Sequence, residues 1–170
     1  MSSSLSDTHD LQIRPGQTTD LPAVAEVYWS AWHDTHAPFI PAAVAAFRDK
    51  RFFTERARSF GARLIVAELD GLVVGFAAWR DARLDQLWLY SDARGLGIGN
   101  RLAEAAEARI VANGTARAQL TCMAANEAAR RFYEGRGWRI VKRFDKPLET
   151  AQGAAPVPCL GMEKDLAAGR

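Results

Sequence analysis

Residues 87–102 read LWLYSDARGLGIGNRL: an apolar run, glycines at 95, 97 and 99, and then the first turn of a helical pattern. A strand, a glycine turn and a helix N-terminus in that order make an anion site. Unpaired N–H groups point outward, the helix dipole is positive there, and missing Cβ atoms let phosphate oxygens approach the backbone. The geometry suits a diphosphate. Two familiar phosphate loops do not fit. A P-loop requires Gly-Lys-Ser/Thr, which is absent, and a GxGxxG turn beginning at Gly95 or Gly97 would need Gly or Ala where Asn100 or Leu102 stands. A tight turn that only brings helix and strand together explains a bare GxG equally well, so the surrounding elements have to decide.

Downstream, Ile98, Leu102, Ala106 and Ile110 recur every four residues, with Arg101, Glu104 and Glu107 assigned to the opposite side, until Asn113-Gly114 ends the run. That pattern predicts an amphipathic helix lying on a sheet. Beyond it, AQLTCMA reads as a strand, NEAARRFYEGRG as a short helix capped by Asn126 and closed by Gly135 and Gly137, and WRIVKRF as another strand. ETAQGAAP reads as a loose connection before a last strand in VPCLGMEKDL. Upstream, RLIVAEL and LVVGFAAWR flank Asp70-Gly71, a strong hairpin signal, and ARLDQLWLY continues as a strand with Leu87 and Leu89 on one side. A short strand in LQIRPG, a helix carrying Leu21, Val24, Tyr28, Ala31 and Trp32 on its spacing, a proline-broken stretch HDTHAPFIPAA and a second helix from about Ala42 to Arg58 complete the order. Tight hairpins require antiparallel pairs. The fold class expected is α/β of the α+β kind, a mixed, mostly antiparallel central sheet with helices on both faces.

The chain has 170 residues, 48% hydrophobic and 25% charged, which suits one globular domain with a real core; we expect that domain over 11–170 behind a flexible lead over 1–10. Its 22 basic and 20 acidic residues leave a formal charge of +2, so no strong field favours nucleic acid or a membrane surface. Cys122 and Cys159 stand far apart without CxxC or His-rich company, which argues against a disulfide framework and a structural metal. The opening MSSSLSDTHD has neither the basic nor the apolar segment of a secretory leader, and nowhere do about 18 apolar residues run together. A cytoplasmic protein is expected.

LWLYSDARGLGIGNRL resembles motif A of the GNAT superfamily of acyl-CoA-dependent N-acetyltransferases, whose core of Arg or Gln, two residues, Gly, one residue, Gly or Ala is met by Arg94, Gly97 and Gly99. NEAARRFYEGRGW resembles that family's second motif through Asn126, Ala129, Phe132, Tyr133, Gly137 and Trp138, and VYWSAWHDTHAPFIPAA resembles its Trp-containing first-helix region. The resemblance runs from about Leu11 to Leu166.

The resemblance implies a cleft where two parallel strands splay apart, with acetyl-CoA or another acyl-CoA as donor, no metal, and an amine of a small molecule or peptide as acceptor. The donor's pyrophosphate would sit on the amides of Arg94, Gly95, Leu96, Gly97, Ile98, Gly99 and Asn100. Its pantetheine arm would pair with Leu87, Trp88 and Leu89 and meet Asn126, Ala129 and Phe132. Side chains at 95, 97 and 99 would then take up space needed by oxygen atoms. Tyr133 stands where the family places its general acid, although it also reads as core beside Phe132, as Asn126 also reads as a simple cap. Some members use a glutamate as base on the strand before motif A, but Arg83 occupies that position; Asp85, two residues on, is assigned instead, although it also reads as a solvated strand-end carboxylate or a salt-bridge partner of Arg83, with His33 and His36 as alternatives. Tyr28, Trp32, His33 and His36 would line the acceptor side, although the spacing of Trp32 from Tyr28 also fits a buried helical face. Cys122 has no base placed beside it and reads as a small buried hydrophobe. A non-catalytic acyl-CoA sensor would keep Gly97 and Gly99 but dispense with Tyr133. The oligomeric state is left open, a homodimer included.

Overall fold

A computed structural model describes residues 9–166; most of the expected lead over 1–10, and residues 167–170, lie outside the described residues. The sheet has seven strands in the spatial order β1-β2-β3-β4-β5-β7-β6, where β1 is Leu11–Pro15, β2 Leu64–Leu69, β3 Leu72–Arg80, β4 Arg83–Leu89, β5 Arg117–Met123, β6 Arg139–Thr150 and β7 Gly153–Asp165. All neighbours pair antiparallel except β4 and β5. The β2–β3 hairpin turns at Asp70 and Gly71, whose φ of 51° and 82° are the left-handed pair that a two-residue turn demands.

Alternation along these strands feeds two cores. Ile65, Ala67 and Ala77 face helix α4 (Ile98–Ala112), whose predicted stripe Ile98, Leu102, Ala106 and Ile110 is at most 1% exposed. Leu64, Val66, Phe76 and Ala78 face the other way, against α1 (Leu21–Thr35) and α3 (Lys50–Ser59). Period two in the strands and near four in α4 thus produce a sheet covered on both faces. Full burial of Leu102 or Ile110 contributes about 1.5–3 kcal/mol each.

Three expectations need correction. The helix expected from about Ala42 to Arg58 is two, α2 (Ala42–Phe47) and α3, because Arg48 leaves helical geometry and the Asp49 carboxylate accepts from Phe52 N–H at 2.9 Å to start a new helix. The stretch expected to be loose is the tip of a long hairpin, with Thr150 opposite Gly153 and Pro147 opposite Pro156. β6 is an edge strand, where prolines are tolerated. Glu107, assigned to the outer side of α4, is 8% exposed and takes ion pairs from Arg136 at 3.2 Å and Lys164 at 3.0 Å and a hydrogen bond from Trp138 Nε1. Among the described residues no helix is long and apolar enough to cross a membrane.

Candidate active site

The site is a gap in the sheet. β5 pairs with β7 along its whole length, from Arg117 opposite Asp165 to Met123 opposite Cys159, whereas its ladder with β4 consists of Arg83 opposite Gln119. Past that point the parallel strands diverge, and the edge of β4 from Asp85 to Leu89 opens onto a cavity of about 520 Å³ closed by the start of α4 and by α5 (Glu127–Gly135). Leu87, Trp88, Leu89, Arg94, Gly95, Gly97, Gly99 and Asn100 line it on one side, and Asn126, Ala129, Phe132 and Tyr133 on the other.

At the end formed by the start of α4, Gly95 and Gly97 have φ of 77° and 78°, and Gly97 caps α4. The first amides of that helix have no intrahelical acceptor and carry the positive end of its dipole. Within the protein itself, backbone conformation is what requires glycine at 95 and 97: a Cβ there would meet no protein atom within 4 Å, while one at Gly99 would touch Leu89 at 3.4 Å and Phe132 at 3.5 Å. Leu96 points outward, 58% exposed, and the Ile98 side chain is sealed in the core, so both offer only backbone to a ligand.

Asn126 does two things at once. Its side-chain oxygen accepts from Ala129 N–H at 3.1 Å and caps α5, and this leaves its NH₂ free at the cavity wall. Tyr133 is half-buried, edge-on to Phe132 at 5.2 Å and Trp138 at 6.0 Å. Burial pushes its phenol above the ordinary value, with the neighbouring Cys122 adding to the rise. Cys122 lines the same cavity, and burial pushes its thiol up to about 11. Arg136 ties the end of α5 to α4 by donating to Asn100 Oδ1 at 3.2 Å and to Glu107.

At the other end, β3 and β4 lose register: Trp79 faces Leu84 and Ala78 faces Gln86, so Asp85 is the extra residue of a β-bulge. Bulges re-aim side chains at site rims. Asp85 is the one acidic side chain lining the cavity among the described residues; its ion partner is Arg80 at 3.6 Å, while Arg83 donates to Thr121 Oγ1 at 2.8 Å. His36 also lines the cavity, its ring 5.0 Å from Trp88. Tyr28, Trp32 and His33 do not reach it. Tyr28 and Trp32 are each 5% exposed, packed with Phe53, Phe76 and Phe60, and His33 Nδ1 is held by the Trp29 carbonyl oxygen at 2.7 Å. Helical spacing identified the buried face of α1 correctly, and that face meets core, not cavity. Thr35 and Gln86, neither of them singled out in the sequence, also line the wall.

A family model for the acetyltransferase (GNAT) family matches residues 21–138. The chain belongs to the GNAT family. Over 78 residues, 43% of this GNAT chain, it is 36% identical to a blasticidin-S acetyltransferase of Streptomyces morookaense; the match spans about half, 53%, of that curated relative. Solved GNAT structures share the fold at lower identity. A GCN5-related N-acetyltransferase from Rhodopseudomonas palustris superposes with a TM-score of 0.74 at 22% identity, over 91% of this chain and 95% of that one. The YncA acetyltransferase of Salmonella typhimurium, solved with acetyl-CoA, does so with 0.68 at 18%, over 95% and 96%.

Burial lowers the His36 imidazole to about 4, against about 6.5 when unfolded. The folded state therefore binds fewer protons, and the stability this confers is present above pH 6.5 and lost as pH falls through 4. Denaturant titrations of wild type and His36→Gln should diverge by about 3 kcal/mol over that window, wild type losing more. Parallel curves would place the ring in water.

Proposed function

We propose that the chain transfers an acetyl group from acetyl-CoA to a primary amine of a small molecule, by direct attack and without a covalent enzyme intermediate. The observation that carries this is the open β4 edge between the diverging strands, with unpaired amides and a helix dipole at one end and a single carboxylate at the other. Bound acetyl-CoA supplies an activated thioester. The amides from Arg94 to Asn100 hold its diphosphate, and the edge from Leu87 to Leu89 and the Asn126 NH₂ hold its arm. Asp85 accepts the proton of the incoming ammonium. Tyr133 holds the proton that a leaving thiolate needs. A phenol above its usual pKa is a poor donor to a thiolate in water, but the cavity raises thiols as well, as Cys122 shows, and this narrows the gap between the two.

Thiol release from acetyl-CoA, followed across blasticidin-S, polyamines, aminoglycosides, peptides and amino acids, tests the reading. At least one amine should release CoA stoichiometrically with its own acetylation. Tight binding of acetyl-CoA with no transfer to any amine would instead support the non-catalytic sensor. Tyr133→Phe keeps the ring packing and removes the proton, so kcat should fall about 10²-fold with acetyl-CoA affinity unchanged. An unaltered kcat would return Tyr133 to a packing role.

A further inference from the structure

The acceptor end holds a polar contact that this chemistry leaves unused. Thr35 Oγ1 lies 2.8 Å from the Ala31 carbonyl oxygen and 2.8 Å from His36 Nδ1. A hydroxyl has one proton to give. Were it given to the imidazole, the lone pairs of Thr35 and Ala31 would face each other at hydrogen-bond distance with no proton between them. Given to Ala31, it leaves the Thr35 oxygen to accept from His36 Nδ1–H, and both short contacts then carry a proton. In a neutral ring that makes Nε2 a bare acceptor. Burial keeps the ring neutral, and Trp88 at 5.0 Å and Trp32 at 5.9 Å hold it in place. Nε2 has no partner among the described residues, and Thr35 and His36 line the cavity with Asp85.

We infer that Thr35 locks His36 in its Nδ1–H tautomer so that Nε2 receives an N–H of the acyl acceptor. His36 is then an acceptor-binding residue and Thr35 a positioning residue. The substrate half of this rests on the proposed transfer to amines. It also deepens that reading. When Asp85 takes one proton from a primary ammonium, the amine keeps a lone pair for attack and two N–H groups, one of which His36 holds. An alcohol gives its only proton to Asp85 and has none left for His36. The site therefore selects an amine over an alcohol of the same shape.

Two measurements test this. ¹⁵N NMR of histidine-labelled wild-type protein, with the His36 signals assigned by their loss in His36→Gln, should show a protonated Nδ1 and an unprotonated Nε2. An Nε2–H tautomer or a mixture would overturn the lock. For an amine that turns over, Thr35→Val should raise the KM of the amine about tenfold, as expected for a lost hydrogen bond, and leave that of acetyl-CoA unchanged. Thr35→Ser should restore the wild-type value, because it returns the hydroxyl. A Thr35→Val protein with mixed tautomers and an unaltered amine KM would overturn the binding role of Nε2. Failure of every amine would overturn the proposed function and the substrate half together, while the spectrum still decides the lock.

Discussion

Asp85→Asn should lower kcat for any amine acceptor about 10³-fold at neutral pH and leave acetyl-CoA affinity as it is, within the range of lost acid–base catalysis. The substitution is nearly isosteric, so the bulge at position 85 and the pairing of β4 with β3 should survive. What disappears is the one acidic side chain that the described residues present to the cavity. An amine acceptor arrives at pH 7 mostly as an ammonium, and attack requires its lone pair. The deficit should therefore shrink as pH rises toward the acceptor's own pKa, where solvent does the deprotonation. A purely structural lesion would not be relieved this way. Rates measured from pH 7 to 10 decide the matter: a deficit independent of pH, or none at all, removes Asp85 from the base role.

Where the sequence is legible, the determining interactions are local. The α4 stripe is read from spacing alone and is sealed as expected, because Ile98, Leu102, Ala106 and Ile110 answer to one helix and one sheet face. The Asp70-Gly71 turn is read from two residues with positive φ. Legibility ends where partners are distant. Glu107 is buried because Arg136 and Lys164, 29 and 57 residues further along the chain, converge on it, and no pattern within α4 announces that. Tyr28 and Trp32 fail for a different reason: an aromatic stripe at helical spacing says that a face is covered, not whether protein or ligand covers it. The β6–β7 tip looks loose because its prolines and alanines have little strand preference, yet the ladder from Phe144 opposite Cys159 to Thr150 opposite Gly153 carries it. The bulge at Asp85 is a relation between two strands, so a single-strand reading places the carboxylate near the site without showing what turns it inward.

Gly97→Val should weaken acetyl-CoA binding about 10²–10³-fold while the protein stays folded, and the structure adds backbone conformation to the loss of space for phosphate oxygens as a reason for expecting this. No protein atom lies within 4 Å of where a Cβ at 97 would stand, so crowding within the protein does not exclude a side chain. The obstacle is the φ of 78°, which a β-branched residue adopts only at a cost of about 1–2 kcal/mol and escapes by moving the peptides on either side. Those peptides carry the amides at the start of α4 to which the proposed function assigns the diphosphate. Each hydrogen bond to a charged group is worth about 1.5–3 kcal/mol, so misaligning one or two such donors accounts for a loss of about 10²–10³ in affinity. Gly99 provides the contrast. It lies inside α4 without a positive φ, and an added Cβ makes ordinary contacts with Leu89 and Phe132, so Gly99→Ala should bind acetyl-CoA within a few-fold of wild type. Calorimetry on the two variants, with circular dichroism to confirm the fold, separates the explanations. If Gly99→Ala suffers as much as Gly97→Val, space over the helix start governs the site and backbone conformation does not; if neither suffers, the diphosphate binds elsewhere.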